Sequence, residues 1–283
     1  MSDSIQPPRP ARRIFLKDIG RGAVACAGAA AGGAAMFAAA PAASGKDSPG
    51  NEKDFAAPGY DWNAHRYAYC IDATKCIGCL RCVEACKKEN HVAGDAHHFR
   101  TWVERYVILE GEEQARIDTQ CDPGNIAAAG SEAVYRFDNR YEGKEVERAF
   151  FVPKLCNHCT HPACVQVCPT GATFKTKDGA VLIDHDYCIG CQYCVQACPY
   201  GARFFNHARG VTDKCTWCYH RITRGLKPAC VEVCPVEARM FGDLNDKDSI
   251  VSHFIRNNRV QVLHPETGNA PNVFYIGLDK EVI

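Results

Sequence analysis

Sixteen of the chain's nineteen cysteines fall into four copies of one pattern. Cys82-Val83-Glu84-Ala85-Cys86, Cys164-Val165-Gln166-Val167-Cys168-Pro169, Cys194-Val195-Gln196-Ala197-Cys198-Pro199 and Cys230-Val231-Glu232-Val233-Cys234-Pro235 are variants of one sequence, and each follows a CxxC pair: Cys76/Cys79, Cys156/Cys159, Cys188/Cys191 and Cys215/Cys218. Two residues separate the pair from the third cysteine in the first and third copies, four in the second and eleven in the fourth. A cubane iron–sulfur cluster needs four thiolates converging from different directions, and a tight CxxCxxC loop supplies three of them from a short stretch of backbone. Gly78 and Gly190 fall where such a loop bends around inorganic sulfide, and glycine reaches positive φ there without a Cβ clash. The last two cysteines of each copy stand four apart, one helical turn, so they leave one face. In bacterial ferredoxins a fourth cysteine followed by proline ligates the other cluster of a pair, so two copies interlock into a two-cluster unit.

Other chemistries predict other spacings. Paired CxxC units also mark zinc ribbons, but zinc has no need of a third cysteine close behind and a fourth, before proline, four beyond it. Disulfides would suit an exported chain, yet four evenly short spacings are poor disulfide geometry. No CxxC is followed directly by histidine, which excludes covalent c-type haem by pattern, and neither a GxGxxG nor a Walker loop appears. The spacing therefore favours four [4Fe–4S] clusters over zinc or disulfides.

The elements around the motifs read as mixed. Tyr67 to Asp72 and Ala180 to Asp184 are strand-like runs leading into a motif, and the Cys-Val-x-x-Cys turns read as short helices. Lys87 stands where the other three copies have proline, so the backbone after Cys86 is expected to run on helically through Lys88-Glu89-Asn90. Residues 93–153 form an insertion too long for a plain loop, with strand-like Trp102 to Leu109, a Gly/Ala-rich stretch at Asn125 to Gly130 and polar Asp138 to Glu147. A small β-rich elaboration, with a surface loop as the equal alternative, is expected there. Asp246 to Asn257 reads as a capped amphipathic helix with Ile250, Phe254 and Ile255 inward, followed by an apolar tail that wraps the body or docks a neighbour.

Several residues fall outside the ligand pattern. Cys70 is expected to be a small buried hydrophobe in its strand, while Cys121, in Cys-Asp-Pro-Gly, has no account. Trp217 and Tyr193 lie inside motifs, where they would shield clusters from water. His158 and His161 are expected at the surface or behind the ligands rather than on metal. Lys75, Arg81, Arg203 and Lys214 could raise cluster potentials, though solvated surface charge is the expectation for them.

The first 43 residues stand apart. Arg12-Arg13-Ile14-Phe15-Leu16-Lys17, an Ala/Gly stretch from Gly22 to Ala40 and small residues at Pro41-Ala42-Ala43 resemble a twin-arginine export signal, the route for proteins that fold before export. The stretch is long enough for a membrane helix but weakly apolar, and Cys26, inside it, makes a poor lipidation site. A cleaved leader, 1–43, and a periplasmic mature protein with no span of its own are expected. The full chain carries 33 basic and 33 acidic residues. Removal of five basic and two acidic residues with the leader leaves the mature part near −3, with no basic excess for nucleic acid.

Beyond the cysteines, Arg66-Tyr67-Ala68 leading to Ile71-Asp72, Leu155-Cys156-Asn157-His158-Cys159, Cys188-Ile189-Gly190-Cys191-Gln192-Tyr193-Cys194, Asp213-Lys214-Cys215-Thr216-Trp217-Cys218 and the tail Pro271 to Leu278 resemble the four-cluster iron–sulfur subunits of molybdopterin oxidoreductases. The resemblance covers residues 66–283 and is nearest to the exported tetrathionate-, polysulfide- and nitrite-reductase types. It implies an α+β fold of two ferredoxin-like halves, each with two clusters, in which the first motif pairs with the fourth and the second with the third. Carried over, Cys76, Cys79, Cys82 and Cys234 would hold one cluster and Cys215, Cys218, Cys230 and Cys86 its partner. Cys156, Cys159, Cys164 and Cys198 would hold the third, and Cys188, Cys191, Cys194 and Cys168 the fourth. The domain order expected is leader 1–43, linker 44–65, cluster domain 66–245 with insertion 93–153, and helix and tail 246–283. The function implied is non-catalytic: single electrons relayed between a molybdopterin catalytic subunit and a polytopic quinone-binding membrane subunit. Service to a multihaem cytochrome or a hydrogenase is the alternative within the class, and a structural zinc protein the alternative outside it.

Overall fold

A computed structural model describes residues 55–93, 98–119 and 136–282. The leader 1–43, Cys26, Cys121 and the stretch Asn125 to Gly130 lie outside the described residues.

The organising strand is β1 (Tyr67–Asp72), buried along its whole length. It is the middle of a three-stranded sheet, antiparallel to β9 (Arg239–Asp243) and parallel to β10 (Val273–Ile276). Strand alternation splits its side chains between two apolar layers. Tyr67, Tyr69 and Ile71 enter the main core, while Ala68 and Cys70 enter a smaller one with Met240, Val251 and Phe254. The buried Cys70 thiol is accordingly inert, pushed up to about 12 by burial.

The helix after the first motif, α1 (Arg81–Glu89), runs past Cys86, as the missing proline predicts. The corresponding helices of the other motifs, α2 (Ala163–Gln166), α3 (Tyr193–Gln196) and, beyond α4 (Tyr219–Ile222), α5 (Ala229–Glu232), last one turn each. A proline directly after their last cysteine supplies no N–H with which to continue. These helices pack in two pairs, α1 on α5 and α2 on α3. Two short antiparallel hairpins, β5 (Thr173–Lys175) with β6 (Val181–Ile183) and β7 (Arg203–Asn206) with β8 (Val211–Lys214), flank the second pair.

The insertion folds as an antiparallel sheet in the order β3 (Arg116–Thr119), β2 (Thr101–Leu109), β4 (Val146–Leu155). The C-terminal helix α6 (Ile250–Asn257) starts later than Asp246: the Ser249 hydroxyl caps it by accepting the Ser252 N–H at 3.3 Å. Its inward face is Val251 and Phe254, with Ile255 packed beside them; Phe254 and Ile255 match the sequence expectation, while Ile250 is 52% exposed and Val251 takes its place.

The tail wraps the body. As β10 it completes the sheet of the first motif, and just before that it clamps the loop of the second. Thr160 N–H donates to Ala270 O at 2.8 Å, Asn272 N–H to Asn157 O at 2.9 Å, and Asn272 Nδ2 to His158 O at 2.7 Å. Among the described residues no helix is long and apolar enough to cross a membrane.

Candidate cluster-binding sites

All four CxxC loops share one backbone feature: the residue before the second cysteine lies at positive φ. These residues are Gly78 (65°), His158 (42°), Gly190 (69°) and Trp217 (55°). At the two glycines there is no room for a side chain. A Cβ on Gly190 would lie 2.5 Å from the Gly210 carbonyl oxygen, and one on Gly78 would meet the Phe151 ring at 2.4 Å. The other two positions hold bulky residues, for which left-handed backbone costs about 1–2 kcal/mol each. Packing offsets that cost: the His158 and Trp217 rings stack on each other, centroids 3.9 Å apart and 17° from parallel, both essentially without exposure. Val181 N–H donates to His158 Nδ1 at 2.9 Å, which fixes that nitrogen as an acceptor. Burial, helped by the Lys214 charge, holds the imidazole neutral, well below its ordinary pKa. His158 is therefore core, whereas His161 is exposed. Trp217 is buried at 1% exposure, whereas Tyr193, for which shielding is the sequence expectation, is 58% exposed.

These loops gather thiols from distant parts of the chain. Cys76, Cys79, Cys82 and Cys234 line one cavity, closed by Leu80, Val103 and Pro153. Cys156, Cys159, Cys164 and Cys198 line another of the same size, about 340 Å³ counting the solvent at its mouth. Cys86, Cys215, Cys218 and Cys230 are all buried and lie close enough that a charge on any of the other three raises the pKa of Cys86. Asn90 Nδ2 donates within this group to Cys86 Sγ at 3.6 Å and Cys218 Sγ at 3.5 Å. Arg100 holds the Asn90 carbonyl at 3.0 Å and is itself paired with Asp213 at 2.9 Å. Tyr69 OH lies 3.2 Å from Cys230 Sγ, with Arg239 Nη1 donating to the tyrosine oxygen at 3.5 Å, which leaves the hydroxyl proton for sulfur.

The remaining four thiols are linked less directly. Thr173 N–H donates to Cys168 Sγ at 3.4 Å and Thr212 N–H to Cys188 Sγ at 3.5 Å. Arg203 connects the group: Nη1 donates to Thr173 Oγ1 at 3.3 Å, and the guanidinium feels the charge of Cys194. Cys191 is exposed.

The electrostatics ask for positive charge on sulfur. Burial pushes Cys82 up to about 11 and Cys159 up to about 12, and raises Cys76, Cys164, Cys198, Cys215 and Cys218. Cys168 alone goes down; burial would raise it, but the Thr173 and Thr170 hydrogen bonds outweigh burial. Bare thiolates are costly in such sites and iron coordination offsets that cost. Two arginines and a lysine are also buried among them: Arg203 (5% exposed), Arg239 (2%) and Lys214 (0%). Arg203 Nη2 donates to Cys164 Sγ at 3.0 Å, while Arg203 Nε, Arg239 Nη2 and Trp217 Nε1 have no hydrogen-bond partner among the described residues. Arg203 and Arg239 line the two thiol-lined cavities, where orphaned donors fit acceptors supplied by a bound group. A single zinc ion fits less well. Its four sulfurs would stand only about 3.8 Å apart, and among the described residues no three Cys, His, Asp or Glu side chains converge on one ion.

Solvated charge is the sequence expectation for Arg203 and Lys214, and both are buried; Lys75 and Arg81 are exposed. The motif pattern misses Tyr69, Asn90 and Arg239 altogether. For Arg239 a signal exists: Cys-Pro-x-x-Ala-Arg occurs at both 198–203 and 234–239.

Paired short helices, left-handed CxxC loops and three sets of four thiols drawn together, with a fourth motif of the same spacing, define a ferredoxin-type iron–sulfur protein with four [4Fe–4S] clusters, whose work is to carry electrons. Family comparison agrees: two models, each described as a 4Fe-4S dicluster domain, match residues 75–172 and 147–244. The chain is 38% identical over 221 residues to a tetrathionate reductase subunit of Salmonella typhimurium, covering 77% of this chain and 75% of that one. It is 44% identical over 216 residues to a tetrathionate reductase subunit of Archaeoglobus fulgidus (76% and 84%), and 34% identical over 259 residues to the arsenate respiratory reductase iron–sulfur subunit of Shewanella sp. (75% and 96%). The chain belongs to the iron–sulfur electron-transfer subunits of the molybdopterin oxidoreductases, and it is a relay rather than the catalytic subunit. The matched dicluster models run along the sequence, whereas the first cavity joins Cys76 to Cys234 across both matches.

Proposed function

We propose that the chain passes single electrons through four clusters held by Cys76/Cys79/Cys82/Cys234, Cys86/Cys215/Cys218/Cys230, Cys156/Cys159/Cys164/Cys198 and Cys168/Cys188/Cys191/Cys194. The observation that carries this reading is that each thiol-lined cavity takes three cysteines from one motif and the fourth from another, 152 residues on from Cys82 in the first case and 34 from Cys164 in the second. Each bound cluster takes up and returns one electron; the protein's part is to fix the centres, exclude water and set their affinities. Burial supports an order. Cys79 and Cys191 are exposed, while the second set is buried throughout and Cys215 feels the charge of Cys156 in the third. The first and fourth clusters are then the ends at which electrons enter and leave, and the second and third the interior.

In this reading one end meets a molybdopterin catalytic subunit of tetrathionate-reductase type, which the likeness to tetrathionate reductase subunits supports, and the other a quinone-reactive membrane subunit, as the sequence resemblance implies. The leader 1–43 exports the folded, loaded chain to the periplasm by the twin-arginine route, leaving linker 44–65, cluster domain 66–245 and tail 246–283. Anaerobic purification is the test, and about sixteen iron per chain with matching sulfide is expected. Stoichiometric zinc without iron overturns the proposal. N-terminal sequencing of the exported protein is expected to begin near residue 44, and tagging the chain is expected to bring down a molybdopterin-containing subunit.

A further inference from the structure

We infer that Arg239, Lys214 and Arg203 are three fixed positive charges, one in each interval between successive clusters, that set the electron affinity of the centres on either side. The inference rests on the ligand sets proposed above. It starts from an anomaly of burial. A cation withdrawn from water costs several kcal/mol unless something of opposite charge faces it, yet none of the three has an ion pair with a carboxylate among the described residues. Arg203 and Arg239 instead face sulfur from two different sets, and Lys214 spans two backbone carbonyls, one at Cys215 of the second set and one at Val181 in the lining of the third set's cavity.

Arg239 lines the cavity of the first set, with Cys82 its strongest charged neighbour, and reaches Cys230 of the second set through the Tyr69 hydroxyl. Lys214 donates to the carbonyl of Cys215 in the second set at 2.7 Å and also bonds Val181 O, beside the third; its charge is felt at Cys164 and at His158 in the third set's loop. Arg203 lines the cavity of the third set, donates to Cys164 Sγ at 3.0 Å, and feels Cys194 of the fourth. Three intervals separate four centres, and each holds one buried cation.

The placement is built into the repeat. Arg203 and Arg239 stand five residues after the last cysteine of their motifs, as the first residues of β7 and β9. The strand start turns both inward at the same point of the two halves. At the same offset the second motif has Thr173, which accepts from Arg203, and the first has exposed His91 beyond its longer helix. Guanidinium keeps its charge at any working pH. Reduction adds one negative charge to a cluster, so a nearby fixed cation favours the reduced form and raises the potential. Lying between two centres, it acts on both and softens the penalty of reducing neighbours together.

The test is redox titration of the loaded full-length protein, followed by electron paramagnetic resonance, for Arg203→Gln, Arg239→Gln and Lys214→Met. Each is expected to lower the potentials of the two clusters flanking its interval by at least tenfold in the reduction equilibrium, about 59 mV for one electron, and to leave the other two unmoved. Arg203→Lys and Arg239→Lys keep the charge while losing the forked hydrogen bonds, and are expected to recover most of the shift. Unmoved potentials with full iron overturn the inference, as do lysine variants as low as the glutamine ones. Where a neutral variant fails to load, the charge-keeping variant at that position, Arg203→Lys, Arg239→Lys or Lys214→Arg, is expected to load and to titrate within about 59 mV of the unaltered protein, and a larger fall overturns the inference. Fewer than four clusters in the unaltered protein would instead refute the ligand sets.

Discussion

Gly190→Ala isolates the steric demand of a single cluster loop. Two costs combine at this position. Left-handed backbone at φ 69° costs alanine about 1–2 kcal/mol. The new Cβ would also lie 2.5 Å from the Gly210 carbonyl oxygen and 3.0 Å from the Phe205 ring. A ring edge can turn aside, but the carbonyl belongs to the β7–β8 turn, so the strand carrying Thr212, the donor to Cys188, has to move. Forced overpacking of this kind costs about 1–3 kcal/mol. Gly201→Ala provides the control, since it has the same backbone demand at φ 61° and nothing within 4 Å of the added methyl. The loop in question carries Cys188, Cys191 and Cys194, so the expected lesion is one cluster: about twelve iron per chain instead of about sixteen, with one resonance lost after reduction. Gly201→Ala is expected to stay fully loaded with a small drop in melting temperature. A fully loaded Gly190→Ala melting alongside Gly201→Ala would refute the steric argument.

Three further outcomes are expected. Tyr69→Phe removes the donor to Cys230 without creating a cavity; one cluster potential should fall by about 20–50 mV, the share of a charge-assisted hydrogen bond that differs between redox states, with iron unchanged. Ser249→Ala should destabilise α6 by about 1 kcal/mol through loss of its cap, read as faster unfolding in urea with the clusters intact. Oxidative stripping with a chelator should unfold the chain rather than leave a stable apoprotein, seen as loss of near-ultraviolet dichroism in step with iron release, because the thiol-lined cavities interrupt the main core.

What the sequence made legible was local. The motifs, the strand at 67–72, the longer first helix and the β-rich insertion each depend on a residue's near neighbours: a spacing, an alternation, a missing proline. What it hid was long-range. His158 and Trp217 occupy positions where the other loops have glycine, and only their stacking across 59 residues explains why bulky side chains are tolerated there. Arg203 and Lys214 look like ordinary surface charges until the Cys164 sulfur that Arg203 meets and the Val181 carbonyl that Lys214 meets are brought near from elsewhere in the chain. In α6 Phe254 and Ile255 lie inward as the period predicts, but the helix starts at the Ser249 cap rather than at Asp246 and Val251, not Ile250, fills the first inward position.

Strand β1 carries a consequence for biogenesis. It precedes the first cysteine motif, yet both its partners lie near the other end of the chain, at Arg239–Asp243 and Val273–Ile276. A ribosome therefore exposes the opening third of this protein long before anything exists to pair with it, and the earliest loop waits for Cys234. Iron delivery to the first site therefore has to wait until most of the polypeptide has been made, whereas the third and fourth sets are complete by Cys198, and a transcript shortened by a dozen codons would lack β10, one of the two strands that flank β1.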